Sequence, residues 1–252
     1  YFKMLSVSKL LKLIDEKSKH IKIEKDKDFD FHEKDEAYLI IEGEILSYGD
    51  RNLTQMLLKH DPIGFSEAIL ARQKVLRYRR VSDIELLVIS GTKLREEVNR
   101  SHIVVKSIIK YSLSRIFDAS KSKSHILFEE GYIQQNLQYL KTIRYEDGDR
   151  IFGADQVPNY MYFIDRGSVE LVNRKGKKLK SLSSGESFGE SALLAGRLRS
   201  NAAFSIGTTI LQAIDADALG KEIDKEPPLV QLALLSVLKR LELMNKLHAA
   251  DE

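Results

Sequence analysis

The sequence predicts a mainly β protein with flanking helices, built as two tandem jelly-roll (double-stranded β-helix) domains, each followed by a helix. Three observations carry this reading. Short aromatic and apolar runs alternate with turn residues, the whole order of runs repeats once, and each β-patterned region gives way to residues at helical spacing.

The repeat comes first because it sets the domain count. Ala37-Tyr38-Leu39-Ile40-Ile41-Glu42-Gly43-Glu44-Ile45-Leu46 matches Met161-Tyr162-Phe163-Ile164-Asp165-Arg166-Gly167-Ser168-Val169-Glu170 at a constant offset of about 124 residues. In each copy an apolar run meets a glycine and resumes, the pattern of two strands joined through a tight bend. Tyr48-Gly49-Asp50 and Arg174-Lys175-Gly176 follow as turns. Next come Gly64-Phe65-Ser66-Glu67 and Ser187-Phe188-Gly189-Glu190, then closing strands over 84–89 and 210–214. A period this long means two domains and not a solenoid. They are expected at 1–122 and 123–252, meeting in the Ser/Lys loop of 120–124.

The helical elements follow the strands. In the first copy Val98, Val105, Ile108, Ile109, Ser112, Ile116 and Phe117 recur at spacings of three, four and seven. In the second, Pro227-Pro228 opens a run in which Val230, Leu234, Val237, Leu241, Met244 and His248 form an a/d seam. Leu232, Leu235, Leu238 and Leu247 widen its apolar face. Two uses of that face stay open: covering its own barrel, or helix–helix contact, either between the two copies or between two chains of a homodimer.

Composition excludes several classes. Of 252 residues 43% are hydrophobic, enough for real cores, and 40 Lys and Arg are scattered among 37 Asp and Glu. The net charge of +3 therefore reads as a mixed solvated surface, with no nucleic-acid partner expected. The absence of cysteine excludes disulfides, thiolate zinc sites and Fe–S clusters. No apolar run approaches the ~20 residues of a membrane span and no signal peptide is visible, so a cytoplasmic protein without membrane contact is expected. The chain begins at Tyr1, so residues preceding it are expected. The six histidines are dispersed without a His-x-His pair, and no P-loop, Ser–His–Asp order or paired-carboxylate motif stands out. Neither a metal site nor an enzyme is expected.

The chemistry concentrates between Phe188 and Ser200. Gly185 and Gly189 allow close backbone approach, and a short helix is expected from Glu190 through Ser191-Ala192-Leu193-Leu194-Ala195 to a stop at Gly196. Backbone amides at a helix start favour an anion. Arg199 can return to that start and grip a phosphate through two parallel hydrogen bonds. Glu190 is a pure acceptor, suited to a sugar hydroxyl. Together these groups suggest a sugar phosphate; a plain buried Glu–Arg ion pair is the structural alternative.

Gly148-Asp149-Arg150-Ile151-Phe152, Tyr162-Phe163-Ile164-Asp165-Arg166-Gly167-Ser168-Val169, Gly185-Glu186-Ser187-Phe188-Gly189-Glu190 and Arg199-Ser200 resemble, in order and spacing, the cyclic-nucleotide-binding domain family. That family includes the catabolite activator protein and protein kinase A regulatory subunits. The resemblance spans roughly 140–215 and implies a ligand, cAMP or alternatively cGMP, with no further cofactor. It implies that Glu190 accepts from the ribose 2′-hydroxyl and that Arg199 pairs the cyclic phosphate. Phe188, Gly189, Ser191 and Ala192 would line the site, with Ser200 and Asn201 beside the phosphate or base. Ser200-Asn201 departs from the small residue and Thr found in many members, which leaves base preference open. Met244 or Asn245 is the expected lid. The output would be helix rearrangement read by an effector protein.

The first copy fits less well. Phe65-Ser66-Glu67-Ala68-Ile69-Leu70 keeps Phe and Glu, places Ser66 where the glycine should be, and has Leu76 nine residues after Glu67. Lys74 and Arg77 are its nearest cations, so it is expected to bind cyclic nucleotide weakly or not at all, the alternative being binding through Arg77 after a one-residue bulge. Two rival functions remain: a scaffold with empty pockets, and a transcription regulator whose DNA-binding domain is absent from this chain. The second needs a helix-turn-helix, for which the 38 residues after Ile214 leave no room.

Overall fold

The computed structural model describes residues 6–14, 19–48, 54–74, 76–117, 140–194 and 196–250. Gly49 and Asp50 of the expected first turn, the expected loop at 120–124 and the boundary at 122/123 lie outside the described residues.

The first roll begins with α1 (Val7–Ile14) and β1 (Lys19–Ile23). It continues through β2 (Glu36–Glu42), β3 (Ile45–Tyr48), β4 (Thr54–Leu57), β5 (Pro62–Ile63) and α2 (Phe65–Ile69). It closes with β6 (Arg77–Arg80), β7 (Ile84–Ser90) and α3 (Gly91–Arg100). One sheet has the order β1-β7-β2-β5 and the other β4-β3-β6. Phe31, Tyr38, Ile40, Ile45, Ile63 and Leu86 fill the space inside them. Phe29, Phe31 and Tyr38 meet edge to face at 4.8–5.9 Å, the arrangement that ring quadrupoles favour.

The second roll follows α4 (Ile103–Phe117). Its strands are β8 (Leu140–Tyr145), β9 (Arg150–Phe152), β10 (Tyr160–Val172), β11 (Lys178–Ser183), β12 (Ser187–Phe188) and β13 (Ala202–Asp215), with α5 (Glu190–Leu194) before the last. They form a sheet ordered β11-β10-β13-β8, with β12 on β10 and β9 on β13. Phe152, Tyr162, Ile164, Val169, Leu182, Phe188 and Leu211 make its separate core.

The matched glycines explain why both copies bend at the same point. Gly43 has φ +94° and Gly167 φ +90°. A Cβ on Gly167 would stand 2.7 Å from the Thr208 carbonyl oxygen, and one on Gly43 would overlap that of Asp83. Such close backbone approach at positive φ is open to glycine alone at low cost. In the first roll the bend separates β2 from β3. In the second, β10 runs on through it, with register shifts between Ile164, Arg166 and Ser168.

The helical segment after each roll is split in two. Ser90 caps α3 by accepting from the Lys93 amide at 3.3 Å, and Ser101 ends it in an extended conformation (φ −64°, ψ 160°). The single helical run expected from Val98 to Phe117 therefore breaks at Ser101, whose Oγ donates back to the Val98 carbonyl at 2.7 Å. After β13 the chain forms α6 (Ala216–Lys225) and then α7 (Pro228–Ala250). Val230, Leu234, Val237 and Leu241 of the expected seam are each at most 1% exposed, so this chain already covers that face through Leu241.

The described residues divide into two compact units that do not follow chain order. One comprises Leu5–His102 with Glu226–Asp251, and the other is chiefly Ile103–Lys225. Thus α7 belongs with the first roll, packing on α1, α2 and α3, while α4 belongs with the second and meets α6.

Candidate functional site

The site of the second roll forms where β12 runs into α5. Phe188 pairs with Tyr162 across the ladder, and their rings stack at 5.2 Å and 18°. Phe152 adds a third ring, 5.9 Å from Tyr162 and 5.8 Å from Phe188. This buried cluster fixes the entry to α5. Gly189, at φ +84°, then turns the chain so that Glu190 opens the helix. Glu190 is buried, at 3% exposure, in the first turn of the helix, where negative charge is favoured. Ala192 and Leu193 anchor the turn from below. The Gly196 and Arg197 amides close it on the Leu193 and Ala192 carbonyls at 3.2 and 3.1 Å.

Arg199 is the other pole. It is 3% exposed, with its guanidinium carbon 4.2 Å from the centre of the Phe152 ring. Nη1 donates to the Gly189 carbonyl at 2.5 Å and Nη2 to the Tyr160 carbonyl. The backbone of Arg199 is clamped as well: its amide donates to Gln156 O at 2.9 Å, and its carbonyl accepts from the Asp155 amide at 2.8 Å. Burial pushes its pKa down to about 10, against the upward pull of Tyr162 and Glu190, so it stays cationic at neutral pH. Burial likewise pushes the Tyr162 hydroxyl up to about 12, so that group stays neutral. Nε of Arg199 is buried without a hydrogen-bond partner. An unmet buried donor costs about 1–3 kcal/mol, and an anion delivered to this spot would meet it.

The remaining expected residues fall nearby. Ser191 lies in the first turn of α5, Ser200 is exposed and Asn201 half-buried, both just ahead of β13. Met244 and Asn245 lie on α7, which belongs to the first roll's unit; their side chains lie outside what is described. Among the described residues no His, Asp and Glu cluster could hold a metal, and no helix is long and apolar enough to cross a membrane.

The first copy needs a correction of register. The sequence pairs Ser66 with Gly189 and Glu67 with Glu190; the structure shifts that pairing by two. Gly64 (φ +74°) precedes α2 as Gly189 precedes α5, and Ala71 (φ +51°) stands where Gly196 (φ +61°) does. The Arg72 amide donates to Glu67 O at 2.9 Å, repeating the Arg197–Ala192 bond. On this register Phe65 replaces Glu190 and Lys74 replaces Arg199. Lys74 is 4% exposed, its stem packs over Gly64, and its ammonium donates to the Glu33 carbonyl. Glu67, fully buried, occupies the place of Ala192 and pairs with Arg240 of α7. Arg77, the other expected cation, is exposed on β6.

Sequence reasoning missed Phe152, Tyr160 and Gln156 as supports of Arg199. Their roles arise from a carbonyl, a ring face and a loop clamp, none of which leaves a motif.

Residues 142–226 match the family model described as the cyclic nucleotide-binding domain. Over 58 residues, 23% of this chain, the sequence is 40% identical to a cGMP-dependent protein kinase of Plasmodium berghei (strain Anka). That stretch spans 7% of the kinase's own length. Among solved structures, the chain is similar to the regulatory domain of Toxoplasma gondii PKA with cAMP, at 15% identity and a TM-score of 0.36, covering 98% of this chain and 91% of that one. It is also similar to the regulatory subunit of a cAMP-independent protein kinase A from Trypanosoma brucei, at 17% identity and a TM-score of 0.36, covering 88% and 82%. It is the second roll, and with it Glu190 and Arg199, that matches the cyclic nucleotide-binding domain family.

Proposed function

We propose that this protein is a cyclic nucleotide receptor, with cAMP as its lead ligand, that fills one pocket in the second roll and signals by helix rearrangement to an effector protein. The observation that supports it most directly is Arg199: buried, cationic, clamped at its backbone, and with Nε unmet close to the start of α5. The cyclic phosphate takes the free donors of Arg199 and the amides of Gly189, Ser191 and Ala192. Glu190 accepts from the ribose 2′-hydroxyl, while Ser200 and Asn201 border the phosphate or base. A charge-assisted hydrogen bond contributes about 1.5–3 kcal/mol, so the guanidinium supplies a large share of the affinity.

Calorimetric titration of the full chain with cAMP and cGMP tests this. The expected result is one equivalent bound, because Phe65 and Lys74 leave the first roll without the carboxylate and the guanidinium fork. Arg199→Ala should weaken binding about 100-fold or more and Glu190→Gln about tenfold. Unchanged affinity in Arg199→Ala defeats the assignment, and no binding of either nucleotide returns the chain to a scaffold.

A further inference from the structure

The first roll has a cavity of its own, about 220 Å³, at the place the cassette occupies in the second roll. Three replacements there run in one chemical direction. On the register above, Phe65 stands for Glu190, Leu76 for Asn201 and Tyr78 for Ala203, and all three first-roll residues line the cavity. At these three positions the carboxylate and the amide give way to two rings and an aliphatic chain, while Gln55 and Asp61 supply the amide and carboxylate that remain in the lining. Burial raises the Tyr78 pKa, with Glu67 adding to it, so its hydroxyl stays neutral.

The cations do not reverse this. Lys74 turns its ammonium onto the Glu33 carbonyl, and burial lowers its pKa. The wall that α7 supplies carries Lys239 and Arg240, each ion-paired with a carboxylate: Lys239 with Asp61 and Arg240 with Glu67. The charges of these two pairs cancel. A cyclic phosphate entering here would give up its hydration for cations already committed, which is costly. An uncharged ring loses little on leaving water and gains contact with Phe65, Leu76 and Tyr78. Size agrees, since an apolar cavity of about 150 Å³ is enough for benzene.

We infer that the first roll binds a small uncharged aromatic molecule, of one or two rings, in the cavity walled by Phe65, Leu76 and Tyr78, and does not bind a cyclic nucleotide there. Because Lys239 and Arg240 complete that wall, an occupant stabilises the seating of α7 on the first roll.

The test uses the full chain carrying Arg199→Ala, so that its outcome is separate from that of the second roll. Indole and phenol are titrated as neutral probes by ligand-observed NMR and calorimetry, with cAMP as the anionic probe. The expected result is saturable binding of one equivalent of indole or phenol. Leu76→Trp and, separately, Gln55→Trp, which fill the cavity from different sides, should each weaken it about tenfold or more. Absence of saturable binding by both neutral probes overturns the inference, as does binding that neither filling moves. Saturable cAMP binding that both fillings abolish overturns it too, by making the cavity a nucleotide site.

Discussion

A methyl group added at residue 189 would act on two things at once. It would place a Cβ 2.7 Å from Nη1 of Arg199, and it would force a branched backbone to hold φ +84°. Left-handed backbone costs a residue with a Cβ about 1–2 kcal/mol. Gly189→Ala is therefore expected to lower stability by about that amount in denaturant titration and to reduce cyclic nucleotide affinity. Gly64→Ala meets the same strain at φ +74° but presses on a lysine stem, so it should cost similar stability and leave that affinity intact. Arg199→Lys keeps the charge and loses the fork, so a single ammonium cannot hold both carbonyls and a phosphate; affinity should fall although the fold persists. Acid acts on other residues. Hydrogen bonds from Arg95 and Thr92 hold the Asp35 carboxyl below the usual carboxylate range, and bonds from His32 do so for Asp30. A folded-state pKa below the unfolded value gives stabilisation that is present above about pH 4 and is lost as pH falls further. The thermal midpoint should drop as pH falls below about 4, and Asp35→Asn should flatten part of that drop.

Among the described residues, α7 buries eight apolar side chains between Leu229 and Leu241. Leu234 is fully buried, and Leu234→Ala is expected to cost about 2–5 kcal/mol, read as a lower unfolding midpoint of the first unit. How much of this was legible beforehand depends on what kind of rule each element obeys. The strands and their bends were legible because Gly43 and Gly167 satisfy a local demand, close backbone approach at positive φ. The second cassette was legible because Phe188, Gly189, Glu190 and Arg199 sit in one short span. The first cassette was misregistered because Phe65 and Glu67 offered familiar side chains, while the true marker, Gly64 at positive φ, is a backbone property. The break at Ser101 was invisible to a periodicity that counts apolar residues and ignores a serine bonding its own turn. The seam of α7 announced how much surface it would bury. Its neighbours, α1, α2 and α3, contribute ordinary helix faces that carry no sign of the pairing.

At the scale of the whole molecule, the first roll depends on a helix that lies beyond the second roll in sequence. Removing residues 227–252 should leave the cassette of the second roll able to bind its ligand while uncovering the first roll. Limited proteolysis should then cut within 19–102 before it cuts within 140–215, and the reverse order would show that α7 is dispensable to its unit.

The placement of α7 also bears on how the protein is made. The first roll leaves the ribosome well before the helix that covers it, Pro228–Ala250, has been translated. Until then the surface that receives α7 has no cover, and closing that contact spans more than a hundred intervening residues. The first roll is thus synthesised before the second but completed after it, and its nascent form is the state in which aggregation or chaperone capture will concentrate.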